Sequence, residues 1–274
     1  MGKHQIVITP GRSSSNYWKD IYRYRELFYV LSWRDIKVRY KQTAIGILWS
    51  VLRPFLTMII LAIVFGYFAK LPSVGDIPYP LLVLAGLLPW QFFANSTAES
   101  GNSLLVNQNL ITKVYFPRII IPMSATVTSF VDFLIALVLM LFLMLFYKFV
   151  PSWHIIFLPV LAFLIFILSF GFGTILTALN VKYRDFRYIL PFLIQIGLYL
   201  SPVGYSTEVV PDNVFWLYSL NPMVGVIEGF RWCLLGESSV QAGQLFISTS
   251  VSLGLLVIGI RYFRNTEKYF ADLI

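Results

Sequence analysis

Apolar and polar positions fall in long blocks along this chain rather than in short alternation. Six blocks are apolar enough to read as membrane-crossing helices, at residues 48–69, 79–98, 119–147, 155–181, 188–205 and 240–260. A hydrocarbon core about 30 Å thick takes roughly 20 apolar residues of helix, and each block reaches or nearly reaches that length. The third and fourth are long enough to tilt or to extend past the core. Only Arg53 and Asp132 are charged inside the blocks. Between the fifth and sixth, residues 214–235 are apolar but interrupted by Asn221, Pro222, Glu228 and Arg231. Irregular backbone at membrane depth needs protein or a water-filled cavity around it. The segment therefore reads as two short helices that dip back into the outer half of the protein and break at Asn221-Pro222. A surface amphipathic loop is the alternative.

Ahead of the first block, residues 17–40 contain no Gly or Pro. At about 100° per residue, Trp18, Tyr22, Tyr29, Trp33, Ile36 and Tyr40 share one narrow stripe, with Lys19, Arg23, Arg34 and Lys37 on an adjoining polar face. Rings with polar handles favour the headgroup region, so the pattern predicts a helix lying along the membrane surface. The expected fold class is all-α: a polytopic membrane protein with six transmembrane helices, an N-terminal amphipathic interfacial helix and short re-entrant external helices. The expected organisation is a flexible tail at 1–16, the interfacial helix at 17–42 and a transmembrane domain at 43–274.

Composition agrees with the pattern. The chain of 274 residues is 58% hydrophobic and 12% charged, against about 25% charged in an ordinary soluble domain. The net charge of +8 alone could suggest a nucleic-acid partner, but its placement argues against one. With the N-terminus inside, 18 of the 21 Lys and Arg fall on the cytoplasmic side, and only Lys70, Lys148 and Arg231 do not. Such a bias sets orientation, so both termini are expected in the cytoplasm. No cleavable signal peptide is visible. The one cysteine, Cys233, excludes an intramolecular disulfide and reads as a buried packing residue.

Several chemistries lack their motifs. There is no G-x-x-x-x-G-K-[ST] phosphate loop, so nucleotide hydrolysis by that route is not expected of this chain. His4 and His154 lie far apart with no cysteine cluster, and no metal site is expected. Asp132, deep in the third block, has Ser124, Thr126, Thr128 and Ser129 within two turns as candidate hydrogen-bond partners. Arg34, Lys37, Arg39, Lys41 and Arg53 crowd the start of the first block, where they serve either topology or an anionic lipid headgroup.

Four stretches then line up with a known family. RYKQTAIGILW at 39–49 with LRP at 52–54 resembles the N-terminal signature of polysaccharide export permeases. NLITKVYFPR at 109–118 with IP at 121–122 is similar to their first cytoplasmic loop, and NVKYRDFR at 180–187 to their second. SPVGY at 201–205 and YSLNP at 218–222, with Arg231, resemble their outer segment. The family is the transmembrane subunit of type-2 ATP-binding-cassette exporters, in the O-antigen, capsule and teichoic-acid branch. The resemblance runs from about residue 17 to the C-terminus.

It implies a bacterial inner-membrane permease that is not an enzyme, forms a homodimer and binds two copies of a separate ATPase. It implies no cofactor on this chain, ATP and Mg on the partner, and cargo carried as undecaprenyl-diphosphate-linked polysaccharide. Under that resemblance Trp49, Phe55, Tyr188, Phe192, Tyr199 and Tyr205 are candidate channel residues, and the five cations named above are candidates for the lipid diphosphate. Lys113, Tyr115, Phe116, Arg118, Tyr183, Arg184, Asp185 and Arg187 are candidates for ATPase coupling. Asn221, Pro222, Glu228 and Arg231 are candidates for an external gate. An integral membrane enzyme acting on lipid-linked glycans and an efflux permease for a smaller lipid or drug are the alternative readings.

Overall fold

The computed structural model describes residues 17–41, 46–71, 73, 75, 77–183, 185–236 and 242–270. Among these residues there are α-helices and short 3-10 and π segments, and no strand. The surface helix is two pieces, α1 (Tyr17–Arg23) and α2 (Arg25–Lys41). The first crossing is α3 (Leu48–Leu61), continued by a π-helix over Ala62–Phe68. Then come α4 (Tyr79–Val106), the short α5 (Gln108–Lys113), α6 (Ile120–Phe146) and α7 (Leu158–Lys182). The chain closes with α8 (Phe186–Tyr199), α9 (Asp212–Tyr218), α10 (Pro222–Leu235) and α11 (Ala242–Glu267).

Among the described residues, five helices are long and apolar enough to cross a membrane: Leu48–Phe68, Tyr79–Val106, Ile120–Phe146, Trp153–Lys182 and Ala242–Glu267. The protein is a multi-pass membrane protein. The fifth block departs from expectation. Instead of one continuous helix over 188–205 there is a helix of 14 residues, Phe186–Tyr199, followed by turns. Fourteen residues rise only about 21 Å, short of the hydrocarbon core. Ser201-Pro202 explains the stop, because a residue before proline is pushed out of the helical region.

α4 is the hub. It packs against α3, α6, α7, α8 and α10, and of the five long helices it is by far the most buried. Its companions come close through small residues. A Cβ on Gly173 of α7 would lie 2.9 Å from the Ser100 Cβ of α4, and one on Gly259 of α11 would lie 2.3 Å from the Gly171 carbonyl oxygen of α7. Close backbone approach of this kind drives helix association in lipid, where the hydrophobic effect does not operate between helices. Hydroxyls knit the same seams: Ser100 Oγ is 3.0 Å from Thr126 Oγ1, and Thr177 Oγ1 donates to the Ser100 carbonyl at 2.7 Å.

Two apolar cores result. The larger runs along α4, α6, α7 and α10. The smaller knots Tyr17 and Leu31 of the surface helices to Leu104, Ile120, Val181 and Phe263, at the opposite end from α10. It corrects the single-faced reading of the surface helix. Trp18, Tyr22, Tyr29 and Trp33 are exposed, while Tyr17, Ile21, Tyr24, Phe28 and Leu31 form a second stripe that packs on the bundle.

The broken segment forms the two short helices expected. Asn221 caps α10, its Oδ1 accepting from Met223 N at 3.0 Å, with Pro222 at the first position. Gly236, at φ 79°, ends α10 in the left-handed conformation.

Candidate functional site

Arg39 falls on the protein-facing stripe of α2, in helical register with Ile21 and Phe28. Its guanidinium reaches into the bundle and bridges two helices: Nη2 lies 2.6 Å from Glu99 Oε1 on α4, and Nη1 pairs with Asp132 Oδ2 on α6. Tyr40 Oη also donates to Asp132, as does Ser50 Oγ at 2.9 Å. Ser129 Oγ donates to Glu99 Oε2 at 2.7 Å. Burial pulls the Arg39 pKa down, but Glu99 and then Asp132 outweigh it and hold the group above its ordinary value. Burial, helped by donation to Asp132, pushes the Tyr40 phenol up to about 12.

These contacts correct the expectation for Asp132. Ser124, Thr126 and Thr128 turn back to carbonyls of their own helix, and Ser129 serves Glu99. Asp132 takes its partners from α2 and α3 instead, because back-bonding to the preceding turn absorbs a helical Ser or Thr hydroxyl. Glu99 was not singled out in the sequence. Its signal was a carboxylate one residue beyond the second apolar block. The network borders a cavity of about 750 Å³ that Trp49, Arg53, Gln91 and Asn95 also line.

The other cations at this end differ from Arg39. Arg34 contacts Asp35 Oδ1 at 2.7 Å and Asn107 Oδ1 at 3.1 Å. Lys37 Nζ stands 5.3 Å from the Trp33 ring centroid, and Lys41 and Arg53 are exposed.

The loop residues proposed to meet a partner divide as well. Lys113, Tyr115, Tyr183, Asp185 and Arg187 are exposed, while Phe116 is buried in the smaller core. Arg184 lies outside the described residues. Arg118 is anchored: its backbone N–H donates to Glu267 Oε1 at 2.7 Å and its Nη1 to the Glu267 carbonyl at 2.5 Å. Tyr17 and Arg264 stack at the same corner, 4.5 Å apart. Burial, reinforced by Glu267, raises the Tyr17 phenol well above its usual value.

At the α10 end, Arg231 is a sealed hub. Its Nη1 donates to Glu228 Oε1 and to the Tyr205 carbonyl, both at 3.0 Å, and its Nη2 to the Val203 carbonyl at 3.2 Å. Asn221 Nδ2 donates to Ser201 Oγ at 3.0 Å. Tyr218 Oη donates to Tyr205 Oη, and Tyr205 Oη to the Tyr199 carbonyl, both at 3.1 Å. The turn after α8 and the α9–α10 pair thus form one block. Sequence reasoning named Asn221, Pro222, Glu228 and Arg231 but missed Ser201 as the partner of Asn221 and Tyr218 as the partner of Tyr205.

Of the aromatic candidates, Trp49, Tyr188, Phe192 and Tyr199 are well exposed on α3 and α8, while Phe55 and Tyr205 are half-buried. Glycan stacking needs open ring faces of this kind. A cluster of His, Cys, Asp and Glu able to hold a metal is absent among the described residues.

Known proteins resemble this chain in sequence. The ABC-2 type transporter family matches residues 26–235. The O-antigen export system permease protein RfbA of Myxococcus xanthus is 30% identical over 259 residues, covering 93% of this chain and 98% of that protein. RfbA of Klebsiella pneumoniae is 30% identical over 254 residues, covering 91% and 95%. The polysialic acid transport protein KpsM of Escherichia coli is 26% identical over 245 residues, covering 86% and 91%. The match spans most of the chain, from the surface helix through the buried Arg231 hub, and the chain belongs to the ABC-2 type transporter family.

Proposed function

We propose that this chain is the permease subunit of a polysaccharide exporter, driven by ATP hydrolysed with Mg on a separate ATPase subunit. The observation that carries the reading is the near full-length similarity to permeases named for O-antigen and polysialic acid transport. The exposed aromatic rows of α3 and α8 support it. Two copies pair so that Trp49, Phe55, Tyr188, Phe192, Tyr199 and Tyr205 border a route for the polymer. Sugars offer C–H faces and hydroxyls, and rings with polar handles let such a chain slide.

In this reading α8 with the turn after it makes the sixth crossing, and the α1–α2 end faces the cytoplasm of a bacterial inner membrane. The charge asymmetry supports that orientation. Two ATPase subunits dock against 113–118 and 183–187, where exposed cations and rings flank the anchored Arg118. The cargo is a glycan on a lipid diphosphate, steered by Arg34, Lys37, Lys41 and Arg53, with Arg39 holding the surface helix in place. The block around Asn221, Pro222, Glu228 and Arg231 frames the outer exit.

Purification of the tagged chain from its native membrane tests the reading. The expected result is recovery of an ATPase at a one-to-one ratio, with ATP hydrolysis raised by lipid-linked glycan. Turnover of such a glycan by this chain alone would instead make it a membrane enzyme.

A further inference from the structure

The last helix and the loop ahead of α6 lock onto each other through one carboxylate. Glu267 ends α11, and its Oε1 accepts from the backbone N–H of Arg118 at 2.7 Å. Arg118 stands just ahead of α6, where the helix offers that N–H no partner. In return Arg118 Nη1 donates to the Glu267 carbonyl, an acceptor that the last turn of a helix leaves open. The carboxylate meets the positive end of α6 and the guanidinium the negative end of α11, and both placements are favourable. The two helices thus cap each other.

The loop they hold has few fastenings of its own. Lys113, Tyr115, Phe116 and Arg118 are among the residues around a hollow of about 420 Å³, and Lys113, Val114 and Tyr115 are exposed. Phe116 is buried, in the smaller core with Tyr17 of α1 and with Phe263 near the end of α11. Arg264 of α11 stacks on the Tyr17 ring. The loop, the end of α11 and α1 form one corner, with Lys113 and Tyr115 at its open tip. An apolar residue would pack such a corner without drawing a charge out of water. A hydrogen-bonded carboxylate adds direction, which packing alone does not.

We propose that Glu267 is a positioning residue for export: it fastens the 113–118 loop to α11, so that a push on Lys113 and Tyr115 moves α6, α11 and α1 together. The proposal rests on the reading of 113–118 as an ATPase docking loop. The test uses the full chain reconstituted in proteoliposomes with the ATPase that co-purifies with it, and lipid-linked glycan extracted from the same cells. Glu267→Ala should bind the ATPase and keep its basal rate, while stimulation by the glycan falls about tenfold, as expected for loss of a charge-assisted hydrogen bond. Glu267→Gln keeps an oxygen that accepts from the Arg118 N–H and should retain most of the stimulation. Amide exchange in the unaltered complex gives a reading that needs no variant: nucleotide on the ATPase should change exchange at 114–118, at the end of α11 and in α1 together. No stimulation in the unaltered complex would count against the export reading itself. In a complex that is stimulated, full coupling by Glu267→Ala, equal loss in Glu267→Gln, or exchange that changes in the loop alone would overturn the proposal.

Discussion

Two charged centres of this protein, around Arg231 and around Arg39, are built from similar residue types and settle their charges differently. Arg231 and Glu228 are sealed, with side chains only 3% and 6% exposed, and the guanidinium donates to backbone carbonyls of the turn after α8. Arg39, Glu99 and Asp132 are 28%, 33% and 19% exposed and look onto a cavity. A buried charge must have every partner in place, because water cannot replace one that is lost. A half-exposed network can trade a partner for water or for a ligand. The α10 end is therefore fastened, and the α2 end is adjustable.

Breaking each centre measures that difference. Arg231→Met strands Glu228 without its cation, and removing one partner of a buried pair costs about 3–5 kcal/mol. Thermal unfolding in detergent should show a large loss, and a loss no greater than that of a surface substitution would deny that the hub is sealed. Asp132→Ala removes the acceptor for Arg39, Tyr40 and Ser50, a set of charge-assisted bonds for which about 1–3 kcal/mol is expected. Amide exchange should quicken in α2 and the start of α3 and leave α10 unchanged. Equal quickening at both ends would erase the contrast.

The smallest effect is in pH. The Tyr40 phenol, at about 12 in the folded chain, sits above the value of about 10 for a free tyrosine. The folded state holds that proton more tightly, so its contribution to stability is complete below pH 10 and is lost as pH rises toward 12. Tyr40→Phe should remove this loss, and an unchanged alkaline limb in melting curves would show that Tyr40 does not titrate late.

The sequence made one kind of information plain and hid another. Long apolar blocks located α4, α6, α7 and α11, because length and hydropathy are local properties. The break at Asn221-Pro222 was legible because proline and a capping amide act within a few residues. Partners were not legible. Asp132 looked to its own helix for hydroxyls, but its partners stand on α2 and α3, more than 80 residues away in the chain. The fifth block looked like one unbroken helix because hydropathy does not see that Pro202 halts α8 early. The helix period grouped Tyr29 and Trp33, which are exposed, with Tyr40, which turns inward to Asp132, and it left unread the protein-facing stripe that carries Arg39.

The proposed route along the exposed rings of α3 and α8 is tested by surface polymer in cells that express Tyr188→Ala with Tyr199→Ala, normalised to the amount of this chain in the membrane. Both rings stand clear of the sealed hub, so the variant should insert and bind its ATPase normally. Surface polymer is expected to fall by about tenfold or more while polymer accumulates inside. Full surface polymer at equal protein level would contradict it.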